Sequence, residues 1–281
     1  MRVDAHVHLW GPAELELYDW MGPELDAIRR PFGPQDLVGH LERHDFDCAV
    51  LVQTYSSLDE TRGYLELAAS TGFLGGVVGW VDLTDPNVAD TLAALRAGPG
   101  GRNLVGIRHQ AHDEPDPEWL LRDDVRRGLR AVAEAGLAYD VLVRTRELPA
   151  ALAVARALPE LRFIVDHIAK PPIASGEHEP WAERLAELAH LEHVSCKLSG
   201  IVTEAEWDSP RPEDISPYVS RVVEWFGDER LIFGSDWPVC TVAASYDEVV
   251  ALAEQFVGAG NEAVFGRNAA RVYGLESAGG S

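Results

Sequence analysis

Cysteine is scarce: Cys48, Cys196 and Cys240 are all that 281 residues contain, and none belongs to a CxxC pair. So sparse and odd a set argues against a disulfide framework and against a structural zinc site. Cys196 and Cys240 read as small core residues, since no base stands at a spacing that would make a thiolate nucleophile. No apolar run approaches the length that spans a bilayer. No signal-peptide pattern stands ahead of the first strand-like stretch, so a cytoplasmic location is expected. Basic residues are few, 24 against 46 acidic, for a net charge of −22. A surface so acidic repels phosphate backbones and anionic lipid, and nucleic acid and membrane are not expected partners. No linker, low-complexity segment or internal repeat marks a second domain. The expectation is one domain over residues 1–276, with a small, polar, disordered tail over 277–281.

What is present is a regular alternation. Short apolar or β-branched runs occur at 3–10, 48–53, 75–82, 104–109, 137–143, 162–168, 194–199 and 231–236. Helix signals lie between them, at 34–44, from Asp85-Pro86 to Gly98, and at 117–135, 150–158, 181–189, 217–226 and 246–257. Strands alternating with helices at such intervals are βαβ units. Eight of them in a chain of this length predict an α/β fold, a single (β/α)8 TIM barrel. The runner-up, a doubly wound open sheet, lacks its Gly-rich phosphate turn after the first strand. Connections after strands lie on the barrel's C-terminal face, where active sites sit. The long ones carry Trp20, Trp181 and Trp207, which serve either as a lid or as surface packing.

The first strand, VDAHVHLW, alternates Val3, Ala5, Val7 and Leu9 with Asp4, His6 and His8. The period of two places the polar set on one face. In a closed parallel barrel that face looks into the lumen, and His6 and His8 converge near the strand's C-terminal end. Two imidazoles at i and i+2 suit a transition metal or a shared reacting oxygen, or they are simply hydrogen-bonded. Other strand ends add Gln53, Arg108 with His109, Asp140, Asp166 with His167, Lys197 and Asp236. Interrupting an apolar strand with an ionisable group is costly unless the group is paired or used. Such groups at most strand ends mark one site at the C-terminal face. His40, His44, His112, His178, His190 and His193 fall on helices or polar loops and read as surface residues.

These stretches resemble the amidohydrolase superfamily and, more closely, its sugar-lactonase branch, the L-fuconolactonase and L-rhamnonolactonase group. The resemblance rests on VDAHVHLW (3–10), VVGWVDL (77–83), VGIRH (105–109), DHIAKP (166–171), CKLSGIVTEA (196–205) and FGSDWPVC (233–240). It implies His6, His8, His167 and Asp236 as the catalytic core, and the same four as the set able to hold a metal. Arg108, His109, Lys170, Lys197 and Trp237 match motif positions without a fixed role. The chain departs from the wider superfamily on the fifth strand, where Tyr139 and Asp140 leave no lysine for a bridging carbamate. The seventh strand carries Lys197 and no histidine. At most one divalent metal, zinc by its ligand types, is therefore expected, or none.

The chemistry implied is the opening of a sugar-acid lactone. Asp236 would activate water as general base, while the histidines or one metal polarise the carbonyl. A neutral, hydroxyl-rich lactone suits Arg108, Gln53, Asp140, Trp80 and Trp237 as contacts, or these have structural roles. The rivals are a metal-dependent decarboxylase on the same barrel and a sugar-acid binder without catalysis. The oligomeric state is not legible.

Overall fold

A computed structural model describes residues 1–18, 20–208 and 210–275. Eight parallel strands form one sheet in the order in which they occur: β1 (Val3–Val7), β2 (Cys48–Val52), β3 (Leu74–Gly79), β4 (Leu104–Gln110), β5 (Ala138–Leu142), β6 (Arg162–Val165), β7 (Val194–Leu198) and β8 (Leu231–Phe233). The sheet closes on itself where β8 runs out. His8 N donates to Trp237 O at 2.7 Å, and Asp236 N donates to His6 O at 2.8 Å. This seam sets the first-strand histidines beside Asp236. The expected (β/α)8 barrel is the fold, and the proposed tail, 277–281, lies outside the described residues.

The helices that cover the strands are α1 (Pro34–Arg43), α2 (Leu58–Ser70), α3 (Val88–Ala97), α4 (Asp123–Glu134), α5 (Leu148–Ala157), α6 (Trp181–Ala189), α7 (Pro212–Phe226) and α8 (Tyr246–Val257). α2 carries no helix signal in the sequence reading, α3 and α5 begin within three residues of the expected starts, and two helices begin further off. The stretch read as a helix from 117 breaks at Arg122, whose extended ψ of 140° separates a 3-10 turn from α4. α7 begins at Pro212, and Pro217 is carried inside it. α8 starts with a capping box in which Ser245 Oγ accepts from Glu248 N and the Glu248 carboxylate accepts from Ser245 N. No helix among the described residues is long and apolar enough to cross a membrane.

A last helix, α9 (Asn268–Tyr273), plugs the N-terminal end of the barrel. Its Ala269, Val272 and Tyr273 pack with Val3, Ala5, Val50, Val78, Ala138, Ile164 and Ile232 into an apolar floor inside the lumen. That floor corrects the reading of β1. Val3 and Ala5 face inward, while Asp4 points out of the barrel, where its carboxylate accepts from Tyr246 Oη and Ser235 N at 2.9 Å each. The register shifts between Asp4 and Val7. An irregularity of this kind resets the alternation by one residue, so His6 and His8 still turn into the lumen. Above the floor the lumen becomes polar.

Candidate active site

The lowest polar layer is a closed ion network. Lys197, fully buried on β7, places Nζ 2.5 Å from Asp140 Oδ2 and 3.0 Å from Asp166 Oδ1. Its third neighbour is His6 Nδ1 at 3.2 Å. Arg108 Nη1 lies 3.0 Å from Asp166 Oδ2 and 3.2 Å from His6 Nε2, and Nη2 donates to Gln53 O. Tyr273 Oη reaches up from α9 to Asp140 at 2.7 Å. Two cations and two carboxylates thus balance out of water, as buried charges must.

Above them three imidazoles gather round one carboxylate oxygen. Asp236 Oδ1 lies 3.3 Å from His8 Nε2, 3.7 Å from His6 Nε2 and 4.0 Å from His167 Nε2. His6 Nε2 and His8 Nε2 are 3.2 Å apart. His8 Nδ1 lies 2.8 Å from the carbonyl of Val52, which can only accept, so this nitrogen carries the proton. In the neutral ring Nε2 is then a bare lone pair facing a carboxylate. His167 Nδ1 lies 2.9 Å from Ser199 Oγ. Burial lowers His167 to about 4 and His6 well below the ordinary imidazole range, so both rings are neutral near pH 7. Burial pushes the Asp236 carboxyl upward, but His167, His8 and His6 outweigh it and hold it well below the usual range.

The backbone that delivers these groups is strained. His167, Ile168, Ala169 and Lys170 all have positive φ, from 46° to 60°, and Asp236 has φ 59°. Each such residue costs about 1–2 kcal/mol and persists only when its surroundings over-determine it. Trp181 Nε1 donates to Ile168 O at 2.8 Å, and Ile168 and Ala169 are fully buried. Gly200, at φ 57°, is needed beside them: a methyl there would sit 2.4 Å from His167 Nδ1 and 3.0 Å from Asp236 Oδ2.

The donor set fits one divalent ion. Tetrahedral zinc with bonds of 2.0–2.1 Å spaces its ligands about 3.3–3.4 Å apart. His6, His167 and Asp236 each offer an atom within 4.8 Å of the others, and His8 adds the contacts of 3.2 and 3.3 Å. The last of these sets an imidazole nitrogen against a carboxylate oxygen, which suits a proton or a cation between them. Hydrogen-bonded second nitrogens on His8 and His167 orient the rings as ligand histidines require. Arg108, at 3.2 Å from His6 Nε2, competes for that nitrogen.

A cavity of about 500 Å³ opens over the cluster. Of the sequence-selected residues, His8, Arg108, His167, Lys170 and Asp236 border it. Gln53, Asp140 and Lys197 are fully buried beneath. Three others lie off the cavity because each follows an inward-facing position or a strand's end and turns outward. His109 stacks on Trp119 with centroids 4.0 Å apart and accepts from Trp80 Nε1 at 3.0 Å. Trp237 packs against Phe32, with centroids 5.2 Å apart. Trp20 and Trp207 border the cavity, whereas Trp181 is buried in α6. The rim also holds Gln110, His112, Arg144 and Glu204, which the sequence reading passed over. His112 was taken for a surface residue; its side chain is only 13% exposed, and burial together with Lys170 and Arg144 lowers it to about 3. One signal was available. The chain has only two lysines, Lys170 and Lys197, and both stand within this site.

The amidohydrolase family model matches residues 3–275. An L-fucono-1,5-lactonase from Burkholderia ambifaria is 41% identical over 98% of this chain and 96% of its own length. An L-fucono-1,5-lactonase from Burkholderia multivorans is 37% identical over the same shares. The crystal structure of an amidohydrolase from Burkholderia multivorans with bound zinc superposes with a TM-score of 0.91 at 36% identity, covering 98% of this chain and all of that one. On the family match, and on relatives similar over nearly the whole length, the chain belongs to the amidohydrolase family.

Proposed function

We propose that the protein opens a neutral sugar-acid lactone, an aldonolactone such as L-fuconolactone or L-rhamnonolactone. The observation that carries this reading is Asp236 Oδ1 standing within 3.3–4.0 Å of three imidazole nitrogens at the floor of a cavity of sugar size. The similarity to two L-fucono-1,5-lactonases supports the substrate class. So does a rim of amide, imidazole, guanidinium and indole groups, which pair with hydroxyls and stack on ring faces.

Asp236, ionised near neutral pH, takes a proton from a water in the cavity. The hydroxide attacks the lactone carbonyl carbon, and negative charge develops on the carbonyl oxygen. Arg108 and His167, which stand beside the cluster on the cavity, can donate to it. For His167 this requires Ser199 Oγ–H to donate to Nδ1, which leaves the proton on Nε2. His8 is oriented differently, because its Nδ1 proton is committed to Val52 O. The carbon to ring-oxygen bond then breaks, the ring oxygen takes the proton back from Asp236, and the product is the open-chain hydroxy acid. A divalent ion held by His6, His8, His167 and Asp236 would supply Lewis acidity and acidify a bound water.

The test is a panel of aldonolactones in weak buffer with a pH indicator, run with and without chelator and beside aromatic acids monitored for carbon dioxide. The reading predicts rapid acidification by a lactone. Carbon dioxide release without lactone opening would replace it with the decarboxylase.

A further inference from the structure

The cavity's rim carries two cations that share one carboxylate. Lys170 Nζ pairs with Glu204 Oε1, and Arg144 Nη1 lies 3.6 Å from Glu204 Oε2. The three residues come from successive loops, after β5, β6 and β7, and all border the cavity. Lys170 closes the left-handed turn that delivers His167, at φ 46°, so the backbone sets where its side chain leaves the chain. Glu204 ends a 3-10 turn, Val202–Glu204, and its side chain is only 10% exposed. The third cation on the cavity, Arg108, is matched by Asp166 beneath it.

We propose that Glu204 is the charge-selectivity residue of this cavity. By pairing with Lys170 and Arg144 it leaves a rim that accepts a neutral lactone and refuses one bearing a carboxylate. The inference rests on the lactone-hydrolase reading and deepens it to the charge of the substrate. A substituent carboxylate entering the rim has to displace Glu204 from both cations or sit beside it as a like charge, and either course is unfavourable. Removing the Glu204 charge leaves an ammonium and a guanidinium facing the same space, the arrangement that binds carboxylates most strongly. The chain's net charge of −22 acts in the same direction. It repels an anionic substrate at long range and favours departure of the hydroxy-acid anion once the ring has opened. Glu204 therefore discriminates by repulsion, as specificity often requires.

The experiment compares wild type with Glu204→Gln, which keeps the side chain's shape. The probes are L-fucono-1,5-lactone, which is neutral, and glucaro-1,4-lactone, which carries a free carboxylate. Binding of citrate is measured by calorimetry as a second readout that needs no turnover. The ratio of kcat/KM for the anionic over the neutral lactone should rise by about tenfold or more in the variant. Citrate should bind about tenfold more tightly and with a steeper salt dependence. Adding Arg144→Gln should take away most of both gains. Should Glu204→Gln fail to fold, Glu204→Ser removes the same charge with a smaller side chain. A folded variant whose lactone ratio and citrate affinity both stay within about twofold of wild type overturns the proposal. If wild type opens neither lactone, the hydrolase reading fails, and the citrate comparison still decides the role of Glu204.

Discussion

His8 Nε2 lies 3.3 Å from Asp236 Oδ1, and its other ring nitrogen donates to Val52 O at 2.8 Å. Two lone pairs held that close repel unless a proton or a cation stands between them. A metal relieves the contact, and His6 and His167 are placed to join it. Calorimetric titration with zinc is expected to give no more than one ion per chain, because Asp140 and Asp166 are already paired with Lys197 and Arg108 and β5 carries no lysine for a bridging carbamate. His8→Gln should weaken binding by about tenfold or more. Two tightly held ions per chain would mean that a ligand has been missed, with Lys197 or Asp140 the first to inspect.

Lys197 is the hub of the deep layer. Lys197→Met removes the cation that pairs with both Asp140 and Asp166 and leaves them facing each other out of water. Breaking one side of a buried ion pair costs about 3–5 kcal/mol, and the urea midpoint should fall accordingly. Combining it with Asp140→Asn should recover part of the loss, because one of the stranded charges is then gone. A single variant as stable as wild type would contradict the network's charge assignment.

Gly200 should tolerate no side chain. In Gly200→Ala the methyl would stand 2.4 Å from His167 Nδ1, on a backbone with φ 57°. The strained conformation alone costs about 1–3 kcal/mol. Displacing His167 by an ångström should lower kcat by up to about a hundredfold. Stability curves and steady-state rates on the same sample separate the two effects, and full activity would show that His167 has room to move.

Stability should fall as the solution is acidified, with a sign that can be worked out. His167 and His112 have folded pKa values of about 4 and about 3, below the unfolded value of 6.5. Their contribution is complete above 6.5 and is lost as pH falls from there toward 4 and 3, since the unfolded chain takes up protons that the folded one refuses. Asp4 and Asp140 run the other way: burial raises each to about 6, so their contributions are present below 3.8 and lost as pH rises through 6. His6, also held well below the imidazole range, joins them, and three imidazoles outweigh the two carboxyls, so the urea midpoint should drop between pH 6.5 and 4. His112→Gln should flatten that slope, and an unchanged slope would contradict the burial of His112.

Much of the barrel was legible because its strands are short β-branched runs bounded by turn residues, and a fully buried parallel strand has no other reading at that length. α6 and α8 match the sequence periodicity to the residue. α4 was misjudged at its start because Trp119 and Leu120 continue the apolar spacing through a turn that only the extended backbone at Arg122 discloses. The irregularity in β1 was invisible for a related reason. Alternation of residue types does not report a register shift, and Asp4 was assigned to the lumen when it belongs to Tyr246 and Ser235. The strand ends gathered His6, His8, His167 and Asp236 together with Gln53, Arg108, His109, Asp140, Asp166 and Lys197, and the resemblance to the lactonase branch singled out the four. The rim formed by His112, Arg144 and Glu204 could not be grouped, since the loops that bring them together take their course from tertiary packing. The ion network around Lys197 was legible as residues but not as partners.

The central claim is that Asp236 activates water to open a lactone. The most direct test follows acid release from L-fucono-1,5-lactone by wild type and by Asp236→Asn, with circular dichroism confirming that the variant is folded. Wild type should exceed the spontaneous rate by orders of magnitude, and the variant should lose about a hundredfold or more in kcat. A folded Asp236→Asn enzyme that opens the lactone at the wild-type rate would contradict the account.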